Sequence, residues 1–121
     1  MSKLIKNLSP CYIKKGYNLS HITTLYVLHF INDTESFIKV GITIHNIKKR
    51  FQDKSYKKYN INTLAEYRLT LERCVNIEQH IKYSFRENQY IPLPGFAGRT
   101  ECFAFTDNLV SNITQSIEHY S

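Results

Sequence analysis

Cysteine is scarce in this sequence and poorly placed for bridging. Cys11, Cys74 and Cys102 are three in number, far apart and without a CxxC spacing. Neither a disulfide framework nor a cysteine-built zinc site is therefore expected, and the thiols read as reduced and intracellular. Long apolar runs are missing as well. Stretches such as Leu25 to Leu28 fall far short of a membrane span, and the opening MSKLIKNLSP lacks the apolar core of a secretion signal. The expected location is the cytoplasm, with no membrane partner. Three common catalytic signatures are absent too: a Gly-rich phosphate loop, a serine nucleophile elbow and a zinc-protease histidine pair at i, i+4. No internal repeat or low-complexity tract breaks the chain.

What is present suits one compact domain. The chain has 121 residues, 42% hydrophobic and 13% aromatic, long enough to bury a core without staples. Sixteen Lys and Arg against ten Asp and Glu give a net charge of +6, which favours an anionic partner. The charge is concentrated. Between Lys39 and Lys58 stand Lys48, Lys49, Arg50, Lys54 and Lys57 against the single acid Asp53, with Phe51 and Tyr56 interleaved. Such a segment can track a phosphate backbone, and it can equally be a solvated helix face followed by a lysine-rich loop.

Residues 1–20 mix lysine with Pro10, Gly16 and several Asn and Ser, and read as a basic arm preceding one domain over 21–121. Thr24–Ile31 and Ser36–Ile42 are dense in β-branched and aromatic residues and read as strands of a hairpin turning at Asn32-Asp33. Ile47 and Phe51 at i, i+4 mark a short amphipathic helix over 45–54. Tyr56 to Asn62 reads as loop and Thr63–Leu71 as a third strand. Asn76, with Gln79 three residues on, is a candidate N-cap for a second helix with Ile77, Ile81 and Phe85 buried. On it, Glu78 and Lys82 make a surface i, i+4 pair. Residues 88–100 carry two of the three prolines and two of the four glycines and form a loop. Glu101–Phe105 is a short extended segment, and Thr106 or Asp107 caps a last helix with Leu109, Ile113 and Ile117 at i, i+4. The expectation is an α+β domain: a small antiparallel three-stranded sheet flanked by helices, a β-β-α-β-α core with a C-terminal strand and helix.

Few residues in this plan can carry catalysis. They are Tyr26 on the first strand, Lys39 on its hairpin partner, Arg50 on the first helix and Glu101 after the Pro/Gly loop. With their neighbours they resemble the GIY-YIG nucleases. Thr24-Leu25-Tyr26 stands where that family has its first tripeptide and Lys39-Val40-Gly41 where it has the second. The string FIKVGIT followed by KKRF is similar to a phage-type, homing-endonuclease-like branch that carries K-V-G in place of Y-I-G. Arg50 matches the family arginine, Ile77-Glu78-Gln79-His80 with Phe85 resembles the second helix, and Gly98-Arg99-Thr100-Glu101-Cys102-Phe103 resembles the segment bearing the metal-binding glutamate. The first tripeptide departs from the pattern at Thr24 and Leu25, and Lys39 replaces the second tyrosine.

The resemblance implies a metal-dependent DNA endonuclease, encoded by a phage or mobile element and working in the host cytoplasm. The residue types suit that chemistry. Phosphodiester hydrolysis needs an activated water, charge to stabilise the pentavalent phosphate and help for the departing 3′ oxygen. Glu101 would hold Mg²⁺ or Mn²⁺, and Arg50 would pair with phosphate oxygens. Tyr26 can serve as a base only where cations such as Lys39 or Arg50 lower its pKa from about 10. Lys39 can supply that charge or order the water itself. His80 is a candidate accessory acid or phosphate contact, and Asn108 a candidate substrate-orienting group. His29 and His45 carry weaker signals. Lys48, Lys49, Lys54, Lys57 and Lys58 would hold DNA through phosphates. A homodimer or a protein partner would supply sequence specificity. Each residue also has an ordinary reading, and for Lys39 an exposed strand face accounts for the alternation equally well. Two rival functions stay open: a catalytically silent nucleic-acid-binding module of the same fold, and a small inhibitor that binds another protein.

Overall fold

The computed structural model describes residues 18–44, 46–52, 56–93 and 101–121, except the side chain of Arg50. Residues 1–17 of the expected arm, His45, Lys54 and the Gly98-Arg99-Thr100 stretch lie outside the described residues. Strands β1 (Ile22–Ile31) and β2 (Ser36–Thr43) form the expected antiparallel hairpin. Its turn is set by Asn32, whose side-chain oxygen accepts from the backbone N–H of Thr34 at 2.9 Å and of Glu35 at 3.0 Å, the local mimicry that makes Asn a turn residue.

Strand β3 (Asn60–Thr70) pairs with the other edge of β1. It starts three residues earlier than the alternation at Thr63 suggests, because pairing with Phe30 and Ile31 orders Ile61 and Asn60. Strand β4 (Cys102–Ala104) pairs with β2, which gives one antiparallel sheet of order β3-β1-β2-β4. The α+β class is as expected, but the sheet has four strands rather than three. The short C-terminal segment is a full member of it.

Helix α1 (Ile47–Arg50) is a single turn capped by Asn46, whose side chain accepts from the Lys49 N–H at 2.7 Å. It is much shorter than the span 45–54, since the chain leaves helical geometry at Phe51. Helix α2 (Leu71–Ser84) begins where β3 ends. Thr70 caps it, accepting from the Arg73 N–H at 3.3 Å. Asn76 is therefore an interior residue and not the cap; a threonine ending a strand is as good a start signal, and it comes first. Helix α3 (Asp107–Tyr120) is capped by Thr106 and buries Leu109, Ile113 and Ile117 as the spacing predicts.

Side-chain alternation gives the sheet two unlike faces. On one, Leu25, Val27, Ile38, Val40 and Ile42 pack with the buried stripes of α2 and α3. Each aliphatic side chain removed from water there contributes roughly 1.5–3 kcal/mol. On the other, Tyr26, Leu28, Phe30 and Phe37 pack with Phe51, Tyr56, Tyr59 and Cys102. Among the described residues no helix is long and apolar enough to cross a membrane.

Candidate active site

Lys39 lies on the aromatic face of β2, opposite Leu28 of β1 and Cys102 of β4. It is 0% exposed. The open alternative of an exposed strand face is thus corrected: paired strands on both sides of β2 and the rings above it shut out water. A lysine charge in that position requires a partner. The partner is Glu101, whose Oε1 accepts from Lys39 Nζ at 3.0 Å while its side chain stays 27% exposed. The pair joins residues 62 positions apart in sequence, because β4 adds to β2 with Cys102 opposite Lys39 and so sets the preceding residue beside the lysine.

Tyr26 sits on the same face, directly across from Gly41. A Cβ at position 41 would come within 2.6 Å of Tyr26 Cζ and 2.9 Å of its Cε1, so the absence of a side chain is what lets the ring lie down on β2. Phe51 closes the far side in an edge contact with centroids 5.5 Å apart. Tyr26 is 1% exposed. The K-V-G string therefore presents Lys39 and the gap filled by Tyr26 on one face, with Val40 turned to the aliphatic core.

Glu78 was expected on the surface as the partner of Lys82, and the structure corrects this. It is half-buried, and its carboxyl is raised well above the ordinary carboxylate range, first by burial and then by the charge of Glu101, against the smaller opposing effects of Lys39 and Lys82. The helical spacing held the signal: Cys74, Ile81 and Phe85 share the stripe on which Glu78 lies. A carboxyl kept protonated toward neutrality can donate a proton. Burial likewise pushes the Cys102 thiol up to about 12, so the sulfur beside Lys39 is no nucleophile at neutral pH.

A second carboxylate escaped the sequence reading. Glu35, 9% exposed, accepts from the Tyr59 hydroxyl and from the Tyr90 hydroxyl at 2.6 Å. Burial alone would raise its carboxyl; hydrogen bonds from Tyr59, Tyr90 and the Leu93 backbone, with the Lys58 charge, outweigh this and hold it below the ordinary value. The same bond and the burial raise the Tyr90 hydroxyl to about 12. Tyr90 also stacks on Phe37 at 5.2 Å and donates its backbone N–H to Cys102 at 2.9 Å. The cluster thus fastens residues 89–90 to β4, the strand that Glu101 immediately precedes. No local pattern announces it, since residues 35, 59 and 90 meet only in the folded sheet.

The remaining candidates are spread out. His80 faces α3, with its ring 4.2 Å from that of Tyr120 and its Nε2 3.2 Å from Ser84 Oγ, in an open groove with Phe85, Asn112 and His119. These contacts give it a place between helices and none in the Lys39–Glu101 pair. Arg50 closes α1 after Lys48 and Lys49, both exposed, and Lys57 and Lys58 are exposed beyond it. Lys58 Nζ stands 5.6 Å from the Tyr59 ring centroid. Asn108 is exposed in the first turn of α3. His29 stacks on Phe105 at 3.8 Å and bonds Ser36, a packing role.

Glu101 offers hard oxygen to a divalent cation and keeps access to solvent. Among the described residues no group of three His, Cys, Asp or Glu comes together. Mg²⁺ can be held through a single carboxylate with water and phosphate completing its shell, and Glu101 is the residue that could provide it. Comparison with known proteins adds nothing further: no family model, curated protein or solved structure matches the chain.

Proposed function

We propose that the protein is a metal-dependent endonuclease that hydrolyses DNA phosphodiester bonds, related in its motifs to the GIY-YIG nucleases. The observation that carries this reading is the buried Lys39 ammonium bound at 3.0 Å to the part-exposed Glu101, two residues the motif had already singled out from opposite ends of the chain.

In this reading Glu101 would hold Mg²⁺ or Mn²⁺, and Lys39 fixes the orientation of its carboxylate. When bound, the ion supplies positive charge to the phosphate and to the departing 3′ oxygen. Arg50 neutralises the non-bridging oxygens in the transition state, which its fork geometry suits. Lys39, closed off from solvent, brings its positive charge to the site through Glu101, and Tyr26, lodged over Gly41 on the same face, serves as base only as its phenolate. Lys48, Lys49, Lys57 and Lys58 bind the phosphates of the substrate, a sequence-independent contact that weakens as salt rises.

A second reading is favoured by the depth of Tyr26 and Lys39, 1% and 0% exposed: a module that keeps the fold and binds nucleic acid without cutting it. Plasmid and genomic DNA incubated with Mg²⁺ or Mn²⁺ separate the two. Nicking by the wild type that is lost in Glu101→Gln and Arg50→Ala, with DNA binding retained by Glu101→Gln, supports the nuclease. Salt-sensitive binding with no cleavage supports the silent module.

A further inference from the structure

The two edges of the sheet are treated differently. At β4 the edge is covered: Gln89 bridges Phe103, and the Tyr90 N–H bonds the Cys102 carbonyl at 2.9 Å. At the other edge lies β3, eleven residues long, whose sheet neighbour among the described residues is β1 alone. Long outer strands offer a row of backbone donors and acceptors to another chain, and proteins usually blunt them with lysine, proline or bulges. The sequence NINTLAEYRLT contains neither lysine nor proline, in a chain otherwise rich in lysine. Its register against β1 slips once, between Val27 and Leu28, leaving Leu64 without an opposite residue and the run Ala65–Thr70 regular.

We propose that this regular run pairs with the same run of a second copy of the chain, antiparallel and centred on Tyr67. The register follows from charge. Glu66 and Arg68 flank Tyr67, both are exposed, and both lie on the face that carries Tyr26, being opposite Tyr26 and Thr24 of β1. A two-fold axis through Tyr67 sets Glu66 of each copy directly across from Arg68 of the other, so the edge is complementary to itself. Shifting the axis to Glu66 or Arg68 would set like charges against each other. The pairing continues the sheet to eight strands with both Lys39–Glu101 pairs on one face, about 30 Å apart: five steps of strand spacing across the sheet and about 20 Å along it, since Lys39 stands three residues from Ile42, which is in line with Tyr67. The proposal does not depend on the nuclease reading. The contact is small, so the pairing is expected to be weak and to depend on concentration.

Light scattering and sedimentation equilibrium of the full chain over roughly 1 µM to 1 mM test this, that range bracketing a weak interface. The expected result is a concentration-dependent dimer. Glu66→Arg and Arg68→Glu each place like charges across the axis and are expected to be monomeric, with unchanged circular dichroism. Mixing the two single variants restores opposite charges at both positions and is expected to restore the dimer. Independently, Tyr67→Cys in a Cys11→Ser background is expected to form a disulfide between copies on oxidation, because residue 67 meets itself at the axis within bridging distance. A wild type that stays monomeric throughout, a dimer indifferent to both charge changes, or no cross-link at position 67 overturns the proposal and leaves the edge to residues 1–17 or to another protein.

Discussion

Both faces of the sheet are closed to water over β1 and β2, yet they are built of different materials. The face under α2 and α3 is aliphatic, an interlock of Leu, Ile and Val with Cys74 and Phe103. The opposite face is aromatic and encloses polar groups: the Lys39 ammonium, the Tyr26 hydroxyl and the Glu35 carboxylate with its two tyrosines. Aliphatic burial is non-directional and tolerates rearrangement. A buried charge tolerates none, because each donor and acceptor must keep its partner. The first face therefore supplies stability and the second supplies position, and a substitution should disclose which face it touches by what it changes.

The largest effect is expected on the aromatic side and in rate rather than stability. Glu101→Gln keeps an acceptor for Lys39 but loses the charge that would hold a metal, and DNA cleavage is expected to fall by about 10²–10³, the scale of losing one preorganised electrostatic group; thermal unfolding monitors that the fold is kept. On the aliphatic side, Ile113→Ala empties a fully buried position and is expected to cost about 2–5 kcal/mol in denaturant unfolding while leaving cleavage per folded molecule unchanged. A large rate loss from Ile113→Ala at full folding would break the division between the faces.

Much of this division could be read from the sequence. Alternation in FIKVGI puts Lys39 and Gly41 on one side of β2 and Val40 on the other, and i, i+4 spacing gives the buried stripe of α3 without error. What the pattern could not give was the depth of Lys39, because that depends on β4 closing over it from 62 residues away. The same is true of Glu35, whose partners Tyr59 and Tyr90 are joined to it only by tertiary structure. Glu78 was misplaced for a different reason: its i, i+4 lysine suggested a surface pair, whereas the stripe it shares with Ile81 was the stronger indication. Asn76 gave way to Thr70 as cap because the strand and helix abut with no loop between them.

Gly41→Ala is expected to sharpen the contrast at an intermediate level. The added methyl group must displace the Tyr26 ring, at a cost of about 1–3 kcal/mol for overpacking, and cleavage is expected to fall with it. Val40→Ala, one residue away on the aliphatic face, is expected to lower unfolding stability without a matching loss in rate.

The smallest effect concerns the Glu35 cluster and has a definite sign with pH. Glu35 is held below its ordinary value in the folded state, so its contribution is present above the unfolded pKa of about 4.3 and is lost as pH falls through the lower folded value. Glu35→Gln is expected to cost about 1–2 kcal/mol at neutral pH, the scale of a hydrogen bond to a charged group. The difference from wild type should shrink in urea unfolding as pH is lowered below about 4. A constant difference across that range would show that the carboxylate charge contributes nothing.

The central claim is that Lys39 is buried for chemistry and not for stability, and Lys39→Met tests it when cleavage rate and melting temperature are measured on the same preparation. Methionine fills the lysine's volume, and the released Glu101 carboxylate, already 27% exposed, can be met by water. Cleavage is expected to fall by about 10² or more with a melting temperature within roughly 5 °C of wild type. Cleavage at the wild-type rate, in a protein equally well folded, would contradict it.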